Sequence, residues 1–390
     1  MPAQIDRYNY PTTIYSGAGA RFKIPDVLKE AGKSHPLIVT DRVISALPIC
    51  TEMRKIISDA GIINDTYFDI FGNPTKSQVT GGVNAFKKYS CDSIIAFGGG
   101  AAIDVAKAIA VMINHPGDLF DYEDTPSGKP ITKEIPFTIS VPTTAGTGSE
   151  AGRSSVVSDD DTKRKKIIFA PSLMAKAVFL DPEFTTDLPA NITATTGMDA
   201  LTHLVEAYLA KGEQPLCDGI ALEGIRRLAV HLPKCVDFAK KGNKKTKDHI
   251  ESRRQMLNAA MMGAVAFQKG LGVTHSCAHA LSTVVDMHHG LANGILIPYC
   301  MKFNSTGMND RFKAMAMAVG LKSTTPTAFV KWLENLKEKI GIPKHLKDVG
   351  VKKEHLSKLV DIAVDDVCHP SNPKPVSKKD FEKIFKAAIG

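Results

Sequence analysis

The stretch SIIAFGGGAAIDVAK, Ser93 to Lys107, decides the fold class. Ile94 to Phe97 run without a polar interruption into Gly98, Gly99 and Gly100, and a helical pattern begins near Ala102. A short, wholly apolar run reads as a strand buried on both faces, as in a parallel sheet, and glycines permit the tight turn into the next helix. Strand, glycine turn and helix N-terminus also form a cradle for phosphate, because free N–H groups and the positive end of the helix dipole meet there. The dinucleotide spacing GxGxxG is absent, so turn sterics and phosphate binding both stand as readings of this loop.

The same rhythm extends outward. LIVTD (Leu37 to Asp41) reads as a strand, the stretch from Ala46 to Ala60 as a helix ended by Gly61, and Asp65 to Ile70 as a strand before the turn FGNPT (Phe71 to Thr75). A helix follows through Phe86; beyond the glycines, PFTISVPTT (Pro136 to Thr144) and AVFLD (Ala177 to Asp181) supply further strands. Strands alternating with helices predict an α/β domain with a mostly parallel sheet. PTTAGTGSE (Pro142 to Glu150) is a second polar glycine loop after an apolar strand, and two such loops suggest one dinucleotide crevice. Asp41 could accept hydrogen bonds from an adenosine ribose and repel a 2′-phosphate, which favours NAD over NADP, or it could cap the following turn.

Beyond Pro189 strand-like alternation nearly vanishes and long helical patterns begin with ATTGMDALTHLVEAYLA (Ala194 to Ala210). The expected organisation is a dinucleotide-binding α/β domain over 1–188 and an all-helical domain over 189–390, which would carry the metal and the catalysis. The 390 residues, 43% hydrophobic and 23% charged, exclude a disordered or collagenous chain. The net charge of +8 is spread along the chain apart from Lys240, Lys241, Lys244, Lys245 and Lys247, which read as a solvated loop. With no aromatic-studded basic strand, no nucleic-acid partner is expected. Seven cysteines without a CxxC pair fit a reducing compartment. The start MPAQIDRYNYPTT lacks the layout of a signal peptide and no apolar run approaches the roughly 20 residues of a membrane span, so a cytoplasmic protein without a membrane partner is expected.

Asp199 and His203 stand four apart on one helical face, a spacing that also suits an ordinary side-chain contact. His275 and His279 repeat the spacing, and His288 and His289 follow among apolar neighbours such as Leu271, Val273, Leu281 and Val284. Buried imidazoles need partners. Several of them converging with a carboxylate most often hold a divalent metal, and a set without thiolate suits Fe(II) or Zn(II), which can polarise an alkoxide or carbonyl oxygen.

Four motifs now stand in order: GGGAAIDVAK (Gly98 to Lys107), TTAGTGSE (Thr143 to Glu150), GMDALTHLVEAY (Gly197 to Tyr208), and H-x3-H-x9-H from His275 to His289 with Gly290 behind it. Together they resemble the iron-containing (group III) alcohol dehydrogenase family over nearly the whole chain. The resemblance implies Asp199, His203, His275 and His289 as ligands of Fe2+, with Zn2+ as the other candidate, and no ligand role for His288. It implies His279 as the catalytic residue of proton transfer, beside nicotinamide and substrate. As contacts of NAD it implies Asp41, Asn73, Gly99 and Gly100 under the pyrophosphate, Thr144 and Thr147 beside the nicotinamide ribose, and Lys166, whose neighbours Lys163, Arg164 and Lys165 in the same basic run are competing candidates for a solvated role. Phe267 and Cys368 would border the substrate, or serve plain packing. The implied activity is direct hydride transfer between nicotinamide and a small primary alcohol or aldehyde, in a homodimer. A metal- and NAD-dependent lyase of the dehydroquinate-synthase type is the alternative, although its ligand pattern lacks the Asp-x3-His helix.

Two positions depart from the family pattern. Ala101 replaces the usual serine after the glycines, removing one hydroxyl donor. AGRSS brings Arg153 and Ser154 toward the expected substrate pocket, where an arginine could fork a carboxylate and select an ω-hydroxy acid such as 4-hydroxybutyrate. Pairing of Arg153 with Asp159, Asp160, Asp161 or a cofactor phosphate is the competing expectation.

Overall fold

Ser93–Gly98 is an inner strand of a six-stranded, wholly parallel sheet. The computed structural model describes residues 12–162, 164–242 and 245–390; Lys163, Lys244 and most of the N-terminal stretch lie outside them. Among the described residues eight strands run in chain order: β1 (Thr13–Ser16), β2 (Pro36–Val39), β3 (Asp65–Tyr67), β4 (Ser93–Gly98), β5 (Phe137–Pro142), β6 (Ser154–Ser158), β7 (Lys165–Phe169) and β8 (Ala177–Leu180). The main sheet has the order β1-β8-β5-β4-β2-β3. Every residue of β2, β4 and β8 is buried, as their unbroken apolar sequences require. Alternate residues of β2 and β4 point into separate cores: Leu37, Val39, Ile94 and Ala96 on one face, Ile38, Ile95 and Phe97 on the other.

Strand order reverses between β2 and β4, since β3 lies outside β2 while β5 lies beyond β4. Such a switch point opens a crevice at the carboxyl ends of the two strands. Asp41 and the first glycine loop stand there. A Cβ on Gly98 would come within 2.8 Å of the Ala102 Cβ and 3.6 Å of Asp41 Oδ2, and φ is 153°, so close approach of the backbone demands glycine. Helix α1 (Gly100–Asn114) follows at once.

β1, β6 and β7 are not evident in the sequence. β6 and β7 form an antiparallel hairpin, Ser154 opposite Phe169 and Val156 opposite Ile167, whose serines and lysines hide the strand alternation. β1 is four residues long and earns its place only by pairing with β8.

The second unit is helical, with no strand among its described residues. Its principal helices here are α2 (Ala190–Leu209), α3 (Pro215–Lys240), α4 (Lys247–Ala266), α5 (Val273–Val285), α6 (His289–Asn304) and α7 (Leu356–Val364). α2 is buried on every side from Gly197 to Leu209, as befits a helix at the centre of a bundle. The sheet unit holds residues 12–144 and Gly148–Thr185, and the helical unit holds Ala145–Thr147 and Thr186–Gly390. No helix among the described residues is long and apolar enough to cross a membrane.

Candidate metal and cofactor sites

Within the helical unit, α2 presents Asp199, His203 and Glu206 on one face, spaced by four and three. All three are buried. His275 enters from the first turn of α5, its ring stacked on that of His203 with centroids 4.6 Å apart. His289, the first residue of α6, sits 3.4 Å from Asp199 through Nε2. Donor atoms of Asp199, His275 and His289 all lie within 4.8 Å of one another, while His203 stands beside this trio through its stacked ring. Gly290 has a steric reason: a Cβ there would come within 2.4 Å of the Thr195 carbonyl oxygen.

Two neighbours that the sequence reading assigned no role hold this cluster. Glu206 accepts from the backbone N–H groups of Gly272 (2.8 Å), Thr274 (2.6 Å) and His275 (3.3 Å), and from His275 Nδ1 at 2.7 Å. Burial works against its charge, yet the His275 and Thr274 bonds outweigh that and hold the carboxyl below its ordinary range. The carboxylate therefore takes the Nδ1 proton as partner and leaves Nε2 of His275 as the acceptor, while satisfying the start of α5. Its signal was present in the sequence, seven residues after Asp199. Asn293 donates Nδ2 to Asp199 at 2.8 Å and reaches His289 Nε2 at 3.1 Å.

Nδ1 of His203 and Nε2 of His275 are buried without a hydrogen-bond partner among the described residues. Burial pushes His203 down to about 4, so its ring is neutral. Orphaned buried acceptors cost roughly 1–3 kcal/mol each, and neutral imidazoles with a carboxylate are the donor set that Fe(II) or Zn(II) takes. The residues present fit such an ion.

Around the cluster, Phe267 lies with its ring 5.1 Å from that of His203. His279 stacks on His289 at 5.2 Å and bonds Asp366. Cys368 donates its N–H to Asp366, and burial pushes its thiol well above the ordinary value. His288 caps α6, accepting from Leu291 N–H. Gly146, one residue before Thr147, hydrogen-bonds the His203 ring through its backbone.

In the sheet unit the two glycine loops are neighbours. Thr143 N–H donates to the Gly98 carbonyl at 2.9 Å, and Thr144 Oγ1 is 3.5 Å from where a Gly99 Cβ would stand. Gly99 caps α1 and Gly100 begins it, so free amides are available there. Asp41 is used as a cap: Oδ1 accepts from Val43 (2.9 Å) and Ile44 (2.8 Å), while Oδ2 faces Gly98. Asn73 lies exposed in the turn after β3.

Asp104 and Lys107 of the first motif serve the scaffold. Asp104 accepts from Ser149 Oγ and Val156 N–H, and Lys107 donates to the carbonyls of Ser149 (2.6 Å), Gly152 (2.9 Å) and Ser154 (3.0 Å). They tie α1 to the second loop and to the hairpin. Lys166 pairs with Glu123 at 3.4 Å and lies 4.4 Å over the Phe120 ring. Arg153 lies over the Phe169 ring at 5.4 Å and has no carboxylate partner among the described residues. Among the described residues Arg153 does not pair with Asp159, Asp160 or Asp161: Asp159 accepts from Thr162 and Asp161, and Asp160 from Ser77.

Comparison with known proteins supplies the family. Residues 11–182 match the family model for iron-containing alcohol dehydrogenases, and residues 193–389 match the C-terminal model of the same family. The chain belongs to the iron-containing alcohol dehydrogenases. Among its relatives, this dehydrogenase is 33% identical to the NAD-dependent methanol dehydrogenase of Bacillus methanolicus, covering 97% of this chain and 98% of that one. It is also 33% identical to the 4-hydroxybutyrate dehydrogenase of Cupriavidus necator, covering 97% and 99%. The sulfoacetaldehyde reductase of Bifidobacterium kashiwanohense, solved in complex with NAD+, superposes with a TM-score of 0.89 at 27% identity, covering 99% of each chain. Equal identity to enzymes named for a neutral and for an acidic substrate leaves substrate choice to particular residues.

Proposed function

We propose that this alcohol dehydrogenase interconverts a small primary alcohol and its aldehyde with NAD(H), and that its preferred substrates carry a carboxylate, as ω-hydroxy acids do. The observation that carries the activity is the pair of buried rings His203 and His275, each with one nitrogen unpaired among the described residues, beside Asp199 and His289. Asp199, His203, His275 and His289 would hold iron, which would supply a Lewis acid, and NAD when bound would supply the hydride acceptor. Glu206 fixes the His275 ring for that task, His279 moves the proton, and Phe267 and Cys368 border the substrate.

The amides of Gly99 and Gly100 receive the pyrophosphate, with Ala101 contributing no hydroxyl. Asp41 Oδ2, left over from capping, meets the adenosine ribose, which selects NAD over NADP. Asn73, Thr144 and Thr147 complete the cofactor contacts, and Lys166 joins them once it parts from Glu123. The enzyme works as a cytoplasmic homodimer.

Arg153 carries the substrate class. A guanidinium held on an aromatic ring, with no acid partner among the described residues, is supplied with charge but not with its counter-ion. The Cupriavidus relative is named for a hydroxy acid and the Bifidobacterium one for a sulfonated aldehyde, which supports an anionic substrate. The test compares kcat/KM for succinic semialdehyde and butanal with NADH, on enzyme of measured iron content. Wild type is expected to favour the acid, and Arg153→Ala to erase that preference by roughly 10- to 100-fold while sparing butanal. Equal losses on both aldehydes, or a wild type that favours butanal, would sink the carboxylate reading.

A further inference from the structure

We infer that Asp366 is the positioning residue of His279: it holds that ring in one orientation and one tautomer, with the proton on Nδ1 and the lone pair on Nε2. The inference rests on His279 as the proton-transfer group proposed above. Asp366 lies just beyond α7, far from α5 in sequence, yet its Oδ2 is 2.8 Å from His279 Nδ1. Its other oxygen is equally engaged, for Oδ1 accepts from Ser276 Oγ at 2.7 Å and from the Cys368 N–H at 2.9 Å. The Ser276 hydroxyl accepts in turn from the His369 N–H at 2.9 Å. Asn372 anchors the same segment, accepting from the Val273 N–H at the start of α5 and exchanging hydrogen bonds with Asn304.

These donors decide the tautomer. An ionised carboxylate has no hydrogen to offer, so the proton of the 2.8 Å contact belongs to His279 Nδ1. Burial works against the Asp366 charge, but His279, the Cys368 N–H and Ser276 together hold the carboxyl well below the usual range. The ring is also confined sideways, lying over His289 with planes 21° apart and meeting His275 edge-on at 6.2 Å. Ser276 and His279 share one face of α5, which lets a single carboxylate grip both. Both oxygens of Asp366 are hydrogen-bonded, Oδ2 to the ring and Oδ1 to Ser276 and the Cys368 N–H, so the carboxylate acts as an orienting device, as the third member of a catalytic triad does.

Asp366→Asn tests this on the iron-loaded enzyme. The amide has the same shape; its oxygen can keep Ser276 and the Cys368 N–H, while its NH2 faces Nδ1 and drives the ring hydrogen to Nε2. Turnover should fall about 10²- to 10⁴-fold, as for loss of general acid–base catalysis, with KM, iron content and melting temperature little changed. In a His279→Ala background the same substitution should have no further effect, because the carboxylate acts only through that ring. Nitrogen-15 spectra of metal-free protein should show His279 as the Nδ1–H form in wild type and the Nε2–H form in the variant. A His279→Ala enzyme with unchanged kcat would remove the relay reading and this inference with it. A slow His279→Ala enzyme beside an unimpaired Asp366→Asn, or equal losses from Asp366→Asn with and without His279, overturns the Asp366 role alone. If Asp366→Asn does not fold, Ser276→Ala serves instead; it loosens the carboxylate and should slow turnover only when His279 is present.

Discussion

At Asp41 one carboxylate divides two tasks between its oxygens. Oδ1 closes the first turn of the short helix Arg42–Ser45, and Oδ2 points at the glycine loop. Both meanings that its place in the sequence allowed are therefore compatible in one side chain. Asp41→Gly separates them, because glycine is nearly as good an N-cap and costs only a few tenths of a kcal/mol there. Removing the charge should shift cofactor preference toward NADP(H) by about 1–2 kcal/mol, while the melting temperature stays close to that of wild type. Binding constants for the two cofactors check this, and a wild type that already prefers NADP(H) would overturn it.

Among the elements, α1 and the second glycine loop are joined through buried charges. Glu150 is 2% exposed, its Oε1 has no partner among the described residues, and burial pushes its carboxyl up to about 7. Burial likewise pushes Lys107 down to about 8. The two act on stability in separate pH windows and with opposite signs. Between about 4.5 and about 7 folded Glu150 keeps a proton that the unfolded chain releases, so stability falls as pH rises. Between about 8 and 10.5 folded Lys107 has lost a proton that the unfolded chain still binds, so stability recovers. Glu150→Gln should match wild type near pH 4.5 and exceed it by about 2–3 kcal/mol at pH 7.5 in urea unfolding. A pH-independent difference would show that Glu150 does not titrate in this way.

For the whole molecule, the iron site and the dinucleotide site make separable demands. Stripping the metal with a chelator should lower the melting temperature, because an ion bound only by the folded state stabilises it by mass action and because two buried ring nitrogens lose their partner. NAD binding, followed by calorimetry, should persist in the stripped protein. An unchanged melting temperature after complete metal loss would place the ion elsewhere. The sequence by itself determined what is periodic and local. An apolar run ending in glycines could only be a buried strand turning into a helix, and the spacing of Asp199, His203 and Glu206 put them on one helical face whatever surrounds them. The candidate ligand set could be proposed from the sequence because each of its members sits in a local motif that the family resemblance covers, with Gly290 directly behind His289. Tertiary packing alone decided which distant groups meet. Glu206 reaches His275 across 69 positions and Asp366 reaches His279 across 87, while Lys107, the last residue of the first motif, donates to the Ser149 carbonyl 42 positions on. No spacing encodes such meetings, since a buried polar atom takes whichever donor the packed elements bring within about 3 Å, and that is settled only when the whole core closes.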